Sequence, residues 1–318
     1  MKALVTGAAG YIGRILCKRL TEEGWEVVGI DQKYPKTFES LDDWFIGSYS
    51  DSRPYENQKY DVIFHLGANS LLGPSVKAPL DYFKNNVSEM ITMMDHIVKY
   101  DSAPAVIFAS SAATYGDPCK DVALQEYQAG MPINPYGWSK LMGEHVLEQT
   151  CLAHGLKGYS MRFFNVAGAY GDLGQDLDQP HILTKMCMAS LNKEKFYING
   201  MQYPTYDGTC VRDYIHVLDV CNALICAAKT IAGDMPTSYT EYNVCSGESW
   251  SNLALARYFQ SKYSLQIDFN DVRPGDPAFL YGNNSMTVNE LNWNLQYDPA
   301  DIVESHYDYV ANKVFGGI

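Results

Sequence analysis

Lys2-Ala-Leu-Val-Thr6-Gly7-Ala8-Ala9-Gly10-Tyr11-Ile12-Gly13 opens the chain with a short apolar run that stops at regularly spaced glycines. The run is continuously apolar rather than alternating, so it reads as a buried parallel strand. A helical pattern follows to about Glu23, with Ile12, Ile15, Leu16 and Leu20 recurring on one face. Glycines between a strand and a helix allow a tight turn, let backbone amides approach a pyrophosphate and let the helix pack closely on the sheet. The pyrophosphate then meets the free N–H groups and the positive dipole end of the helix. A second strand, Glu26-Val27-Val28-Gly29-Ile30, ends at Asp31, 18 residues beyond Gly13. That is close to the ~20-residue offset of a carboxylate that binds an adenosine ribose. A carboxylate there repels a 2′-phosphate, so NAD is expected rather than NADP, a preference moderated by the nearby Lys33.

Outward from this unit, strand-like and helix-like segments alternate. Residues 61–64 read as a strand, 79–99 as a helix, 104–109 as a strand, 136–154 as a helix and 157–163 as a strand. Such alternation predicts an α/β fold with a doubly wound parallel, Rossmann-like sheet. After Asn165 the loops lengthen and turn signals become denser, which predicts a smaller C-terminal substrate-binding lobe. Residues 213–229 and 241–245 again read as helix and strand. The expected division is therefore 1–165, joined by about 213–245, as the dinucleotide-binding domain, and 166–318 as the second lobe.

The chain has 318 residues, 47% of them hydrophobic, with no repeat or low-complexity tract. That is room for a substantial core in one large or two smaller domains. The formal net charge of −13 leaves no basic footprint for nucleic acid, and an anionic ligand would need local arginines. No apolar run reaches the ~18 residues of a membrane span. The N-terminus enters a strand without a signal-peptide pattern, so a cytoplasmic protein is expected. The eight cysteines (17, 119, 151, 187, 210, 221, 226, 245) form no CxxC and read as buried free thiols. The histidines form no metal-binding pattern, and no metal is expected. His145 and Glu148 read as a solvated pair.

Asn134-Pro135-Tyr136-Gly137-Trp138-Ser139-Lys140 places a tyrosine and a lysine one helical turn apart, on one face. An ammonium beside a phenol favours the phenolate, and a tyrosine so tuned takes a proton from an alcohol or sugar hydroxyl. Tyr-x3-Lys is common on surface helices; its weight here comes from the dinucleotide site. The strand at 104–109 ends in Ser110-Ser111-Ala112-Ala113-Thr114-Tyr115-Gly116, where catalytic groups of such sheets gather. A serine there either caps the loop or bonds a substrate oxygen.

Gly7-x2-Gly10-x2-Gly13, the Ser111 loop and Tyr136-x3-Lys140 together resemble the extended short-chain dehydrogenase/reductase superfamily. Within it, Arg162-Phe-Phe-Asn165-Val-Ala-Gly168, Tyr203-Pro-Thr-Tyr-Asp-Gly-Thr-Cys-Val-Arg212-Asp-Tyr-Ile-His-Val217 and Arg273-Pro-Gly-Asp276-Pro-Ala are similar to the UDP-glucose 4-epimerase family, over nearly the whole chain. The resemblance implies NAD-dependent 4-epimerisation of a UDP-hexose by transient oxidation at C4, in a homodimer. It implies Ser111, Tyr136 and Lys140 as catalytic residues, with Tyr136 the acid–base. It implies NAD contacts from Gly7, Gly10, Tyr11, Ile12, Gly13, Asp31, Gln32, Leu66, Asn86, Ser110, Tyr136 and Lys140. Ser111, Asn165, Arg212, Arg273, Asp276 and Leu280 are the implied UDP-sugar contacts. The arginines also fit on physical grounds, because guanidinium groups bind phosphate oxygens bidentately.

The chain departs from the family's pattern in places. Gly47-Ser48-Tyr49 stands where an acidic residue usually meets adenine, Asn199 where an aromatic residue lies near uracil, Thr184 where a proline is usual, and Ser70 where some members have lysine. Leu280 occupies the position that gates the sugar pocket and is intermediate in size, leaving N-acetylhexosamine, pentose and uronate epimerases, or a nucleotide-sugar reductase, as alternatives. Ala112 and Ala113 stand where a related dehydratase carries Asp-Glu, which argues against dehydration. A binding protein without catalysis would have no reason to keep Tyr136, Lys140 and Ser111 together.

Overall fold

A computed structural model of the chain describes residues 1–34, 41–100, 103–118, 120–179, 181–233, 238–273 and 275–316; Cys119, Pro180 and Pro274 lie outside them. The strands are β1 (Lys2–Thr6), β2 (Glu26–Asp31), β3 (Asp43–Ile46), β4 (Val62–His65), β5 (Ala105–Ser111), β6 (Gly158–Phe163), β7 (Asn165–Ala167), β8 (Lys195–Asn199), β9 (Val211–Arg212), β10 (Tyr214–His216), β11 (Tyr239–Val244), β12 (Trp250–Ser251), β13 (Gln266–Asn270) and β14 (Phe279–Leu280). The helices are α1 (Tyr11–Glu22), α2 (Leu72–Lys77), α3 (Pro79–Phe83), α4 (Glu89–Lys99), α5 (Pro135–His154), α6 (Ile182–Asn192), α7 (Val217–Ile231), α8 (Asn252–Lys262), α9 (Ser285–Leu291) and α10 (Pro299–Phe315).

One seven-stranded sheet, in the order β11-β6-β5-β4-β1-β2-β3, forms the frame, with all its pairs parallel. Successive residues of a strand face opposite sides. Ala3 and Val5 of β1 therefore join a core with Cys17 and Leu20 of α1 and Leu224 of α7. Leu4 joins the opposite core with Met90, Met93 and Ile97 of α4 and Leu147 of α5. Two-sided burial is why these strands lack polar alternation. The strand order reverses between β1 and β4, and ligands of such sheets bind outside the carboxyl ends at that point. The remaining short strands pair as β7 with β10, β8 with β13, and β12-β9-β14. Around them a separate core gathers, with Leu183, Met186, Leu255, Phe259 and Val303 among its members.

Two expected elements differ. The helix expected over 79–99 is interrupted by a wide π turn at Lys84–Ser88. That turn carries Asn86, whose side chain is bonded across to Asn69 and to Ser139 Oγ, and side-chain insertion of this kind accompanies such bulges. The helix expected from 213 starts at Val217. Before it, β10 pairs with β7, and the buried Asp213 carboxylate accepts from Ser246 N, Ser246 Oγ and Gly247 N. His216 then caps α7 by accepting from Leu218 N. The described cysteines are free, and Cys226 alone of them is only partly buried. His145 and Glu148 form an exposed pair at 3.6 Å. Among the described residues no helix is long and apolar enough to cross a membrane, and no cluster suits a metal ion.

Thr184 has a specific partner. Gly168 N donates to His306 Nδ1 at 3.2 Å, His306 Nε2 meets Thr184 Oγ1 at 2.9 Å, and Thr184 Oγ1 donates to Gln175 Oε1 at 3.2 Å. The chain requires a neutral His306, with its proton on Nε2. Burial pushes His306 and His65 down to about 3, and His181 and His216 to about 4. Such an imidazole refuses a proton that the unfolded chain accepts below about 6.5, so stability falls as pH drops from there towards 4. Asp213 and Asp219 act in the opposite sense, because burial raises both to about 6 and the folded chain keeps their protons longer. Replacing His306 by Gln removes one acid-labile group. By urea unfolding, the stability difference between pH 7 and pH 5 should shrink by about 2 kcal/mol. An unchanged difference would mean that His306 is already protonated in the folded protein.

Candidate active site

A cleft of about 540 Å³ opens at the carboxyl ends of β1, β2, β4 and β5. Of the expected NAD-contacting residues, Gly7, Gly10, Tyr11, Ile12, Gly13, Asp31, Gln32, Leu66, Ser110, Tyr136 and Lys140 line it, whereas the buried Asn86 does not and its neighbour Asn85 does. Asn86 instead ties the loop at Asn69 to Ser139, beside Lys140. Gly10 is the N-cap of α1 and no side chain caps that helix, so the first amides are left for an anion. A Cβ on Gly13 would lie 2.1 Å from Gly7 O, so only glycine lets the turn lie so close to the helix. Asp31 reaches back to this turn, Oδ2 accepting from Ala9 N at 3.1 Å. A narrow amide-lined turn, an uncapped helix start and a carboxylate at the end of β2 fit a dinucleotide.

Ser111, Tyr136 and Lys140 converge where β5 meets α5. Asn134 caps α5 by accepting from Gly137 N at 2.9 Å, and Pro135 sits in the first turn. A Cβ on Gly143 would lie 2.7 Å from the Phe108 ring, so glycine lets α5 approach β5 closely. Tyr136 lies beside Ser111, whose Oγ accepts from Ala113 N at 3.2 Å, and its ring packs edge-on against Tyr82 with centroids 6.4 Å apart. Burial pushes the phenol up and the neighbouring Ser111 hydroxyl opposes this. Lys140 Nζ donates to Ala109 O at 2.7 Å and lies 4.8 Å over the Phe108 ring. Burial draws the ammonium down to about 7, against the raising effect of Glu144. In this structure the ammonium is turned towards a backbone carbonyl, and Ser111 is the neighbour that favours the Tyr136 phenolate. His65, on β4, bonds Thr6 Oγ1 at 2.7 Å and stays neutral.

A second pocket, of about 210 Å³, lies in the smaller lobe and contains Asn165, Arg212, Arg273 and Asp276. β6 and β7 connect the two sites, since Phe163 lines the cleft and Asn165 the pocket. Arg212 Nη1 donates to Val211 O at 2.8 Å, and Arg273 pairs with Asp276 at 2.5 Å. Parallel pairing of β14 with β9 sets Leu280 beside Arg212. Leu280 lines neither cavity and packs on Ala112, Tyr115, Leu124, Phe164 and Cys245. Asn199 lines the pocket with His181, Lys185 and Tyr197, which the sequence reading missed because β8 and α6 carry no chemical motif. At the other end of the cleft Ser48 donates to the Glu89 carboxylate and Tyr49 to Asn85 O. Glu144, also missed, follows Lys140 by one turn, so the helical spacing 136, 140, 144 was a usable signal.

The NAD dependent epimerase/dehydratase family model matches residues 3–245. The UDP-glucose 4-epimerase of Lacticaseibacillus casei is 34% identical, over 99% of this chain and 98% of that protein. The UDP-glucose 4-epimerase from Brucella ovis in complex with NAD superposes with a TM-score of 0.89 at 30% identity, covering 97% of this chain and 98% of the other. The UDP-glucose 4-epimerase from Bifidobacterium longum in complex with NAD+ and UDP gives a TM-score of 0.91 at 26% identity, covering 99% and 100%. With the glycine turn, cleft and sheet order in agreement, the chain belongs to the NAD dependent epimerase/dehydratase family, as a UDP-glucose 4-epimerase-like, NAD-dependent isomerase.

Proposed function

We propose that the protein interconverts UDP-glucose and UDP-galactose by inverting C4. The observation that carries this reading is Tyr136 in the wall of the dinucleotide cleft with Ser111 beside it, joined by β6–β7 to a pocket holding Arg212 and Arg273. In this reading Arg212, Arg273 and Asn165 bind the diphosphate, and Asp276 takes a ribose hydroxyl. Ser111 holds the sugar O4 beside Tyr136, which removes the O4 proton and later returns it. Lys140 supplies positive charge near the developing phenolate and a donor for the nicotinamide ribose. NAD, when bound, supplies the hydride acceptor and donor at C4. The sugar turns over between the two transfers, which few contacts to the hexose and many to UDP permit.

Residues 1–165 with 213–245 are assigned to the cofactor, and the remaining second-lobe segments to the UDP-sugar. The outward apolar side chains Leu80, Ile91, Trp138, Met142 and Leu152 suit a second copy of the chain, in the cytoplasm. Incubation with UDP-galactose, without added NAD, should give a steady mixture with UDP-glucose on chromatography, from a protein with the mass of a dimer. If UDP-galactose remains unchanged with and without NAD while an N-acetyl or pentose UDP-sugar is converted, the hexose assignment is wrong.

A further inference from the structure

Helix α5 grips the end of β5 at successive turns. Tyr136 lies beside Ser111, Lys140 Nζ bonds Ala109 O, and the Glu144 carboxylate accepts from Ser110 Oγ. The first two belong to the mechanism above; Glu144 has no place in it. Its side chain is only 2% exposed, and Arg162 of β6 holds it through two nitrogens, Nε to Oε1 at 2.9 Å and Nη2 to Oε2 at 2.7 Å. Arg162 Nη1 continues to Tyr115 Oη at 3.0 Å, and Tyr115 donates to Asn243 Oδ1 at 2.7 Å. Asn243 Nδ2 then donates to the carbonyls of Leu124 and Asn283.

Stability alone does not explain such a pair. Desolvation offsets the attraction of a buried ion pair, and apolar side chains of similar volume often serve as well or better. An apolar pair, however, has nothing to hold a serine hydroxyl in register with the helix. We propose that Glu144, backed by Arg162, is a positioning residue of the reaction: it anchors Ser110 and thereby sets the Ser111 hydroxyl against the Tyr136 phenol. The proposal rests on the function proposed above. Its carboxylate also supports the charge of Lys140, which burial alone would draw down further. The ionisable groups around it are Lys140 on its own helix, Arg162 on β6, Tyr239 and Glu241 on β11 and Tyr115 beyond β5.

The test compares Glu144→Gln with the paired variant Glu144→Leu/Arg162→Met, which removes both charges of the buried pair together. In both, kcat should fall at least about tenfold, the size of a misplaced general base. The KM for UDP-galactose should not change, since Glu144 does not line the UDP pocket, and Glu144→Asp should recover part of the loss. The pH midpoint for chemical labelling of Lys140, read by mass spectrometry, should move down in both variants. If the paired variant is folded with wild-type kcat and an unmoved labelling midpoint, the proposal is overturned. If the unaltered protein converts no UDP-sugar, the proposed function fails, and the labelling midpoint still decides whether Glu144 acts on Lys140.

Discussion

Replacing Tyr136 by phenylalanine should lower kcat by about 10³-fold, within the range that general acid–base groups contribute. The phenol is the acid–base group of the proposed mechanism and lies beside Ser111, and its hydroxyl can be removed without disturbing the ring packing on Tyr82. NAD content and UDP binding should stay as they are, because the cleft walls and the pocket around Arg212 are untouched. A pure kcat effect means the lost interaction is made in the transition state rather than on binding. Burial raises the phenol, so its ionisation in the complex depends on charge supplied by Lys140 and the bound cofactor. Epimerisation by the variant at a wild-type rate would remove Tyr136 from the mechanism.

Replacing Gly13 by alanine should strip the protein of cofactor. The added Cβ would meet Gly7 O at 2.1 Å and Ala8 Cα at 2.9 Å, both parts of backbone that cannot swing aside as a side chain could. Relieving the overlap opens the turn and moves the amides that face the pyrophosphate. Overpacking of this kind costs about 1–3 kcal/mol. If that cost falls on the bound form, NAD content should drop roughly tenfold or more. The measurement is NAD released by acid from the purified chain, alongside its melting temperature. Gly73→Ala is the control, because a Cβ there meets nothing within 4 Å. Equal NAD content in the two variants would show that the turn tolerates the methyl group and does not set cofactor affinity.

The parts of this protein that could be read before folding are those in which one local physical rule dominates. The glycine turn is such a part: strand, tight turn and helix start follow each other within the first thirteen residues, and each leaves its own residue type. The continuous apolar runs of β1, β2, β4 and β5 are legible because a strand buried on both faces cannot alternate. β3 was missed because it is a short, half-exposed edge strand. The boundary at Val217 was misplaced because the local pattern is helical, whereas the position is decided by distant groups. Asp213 is held by Ser246 and Gly247, and Tyr214–His216 by Asn165–Ala167.

The candidate site divides in the same way. Gly7, Gly10, Gly13, Asp31, Ser111, Tyr136 and Lys140 were legible because a glycine spacing, a strand end and one helical turn each constrain residues near in sequence. The chain by itself thus determined the fold class, the dinucleotide cleft and the neighbouring Tyr136 and Lys140. Tertiary structure alone decided where the charges point: Lys140 towards Ala109 O, Glu144 towards Ser110 and Arg162, and Asn86 towards Ser139 rather than into the cleft. The reason is that buried polar groups must find partners, and the partners available to them come from strands and loops remote in the chain, brought into contact only when the sheet closes.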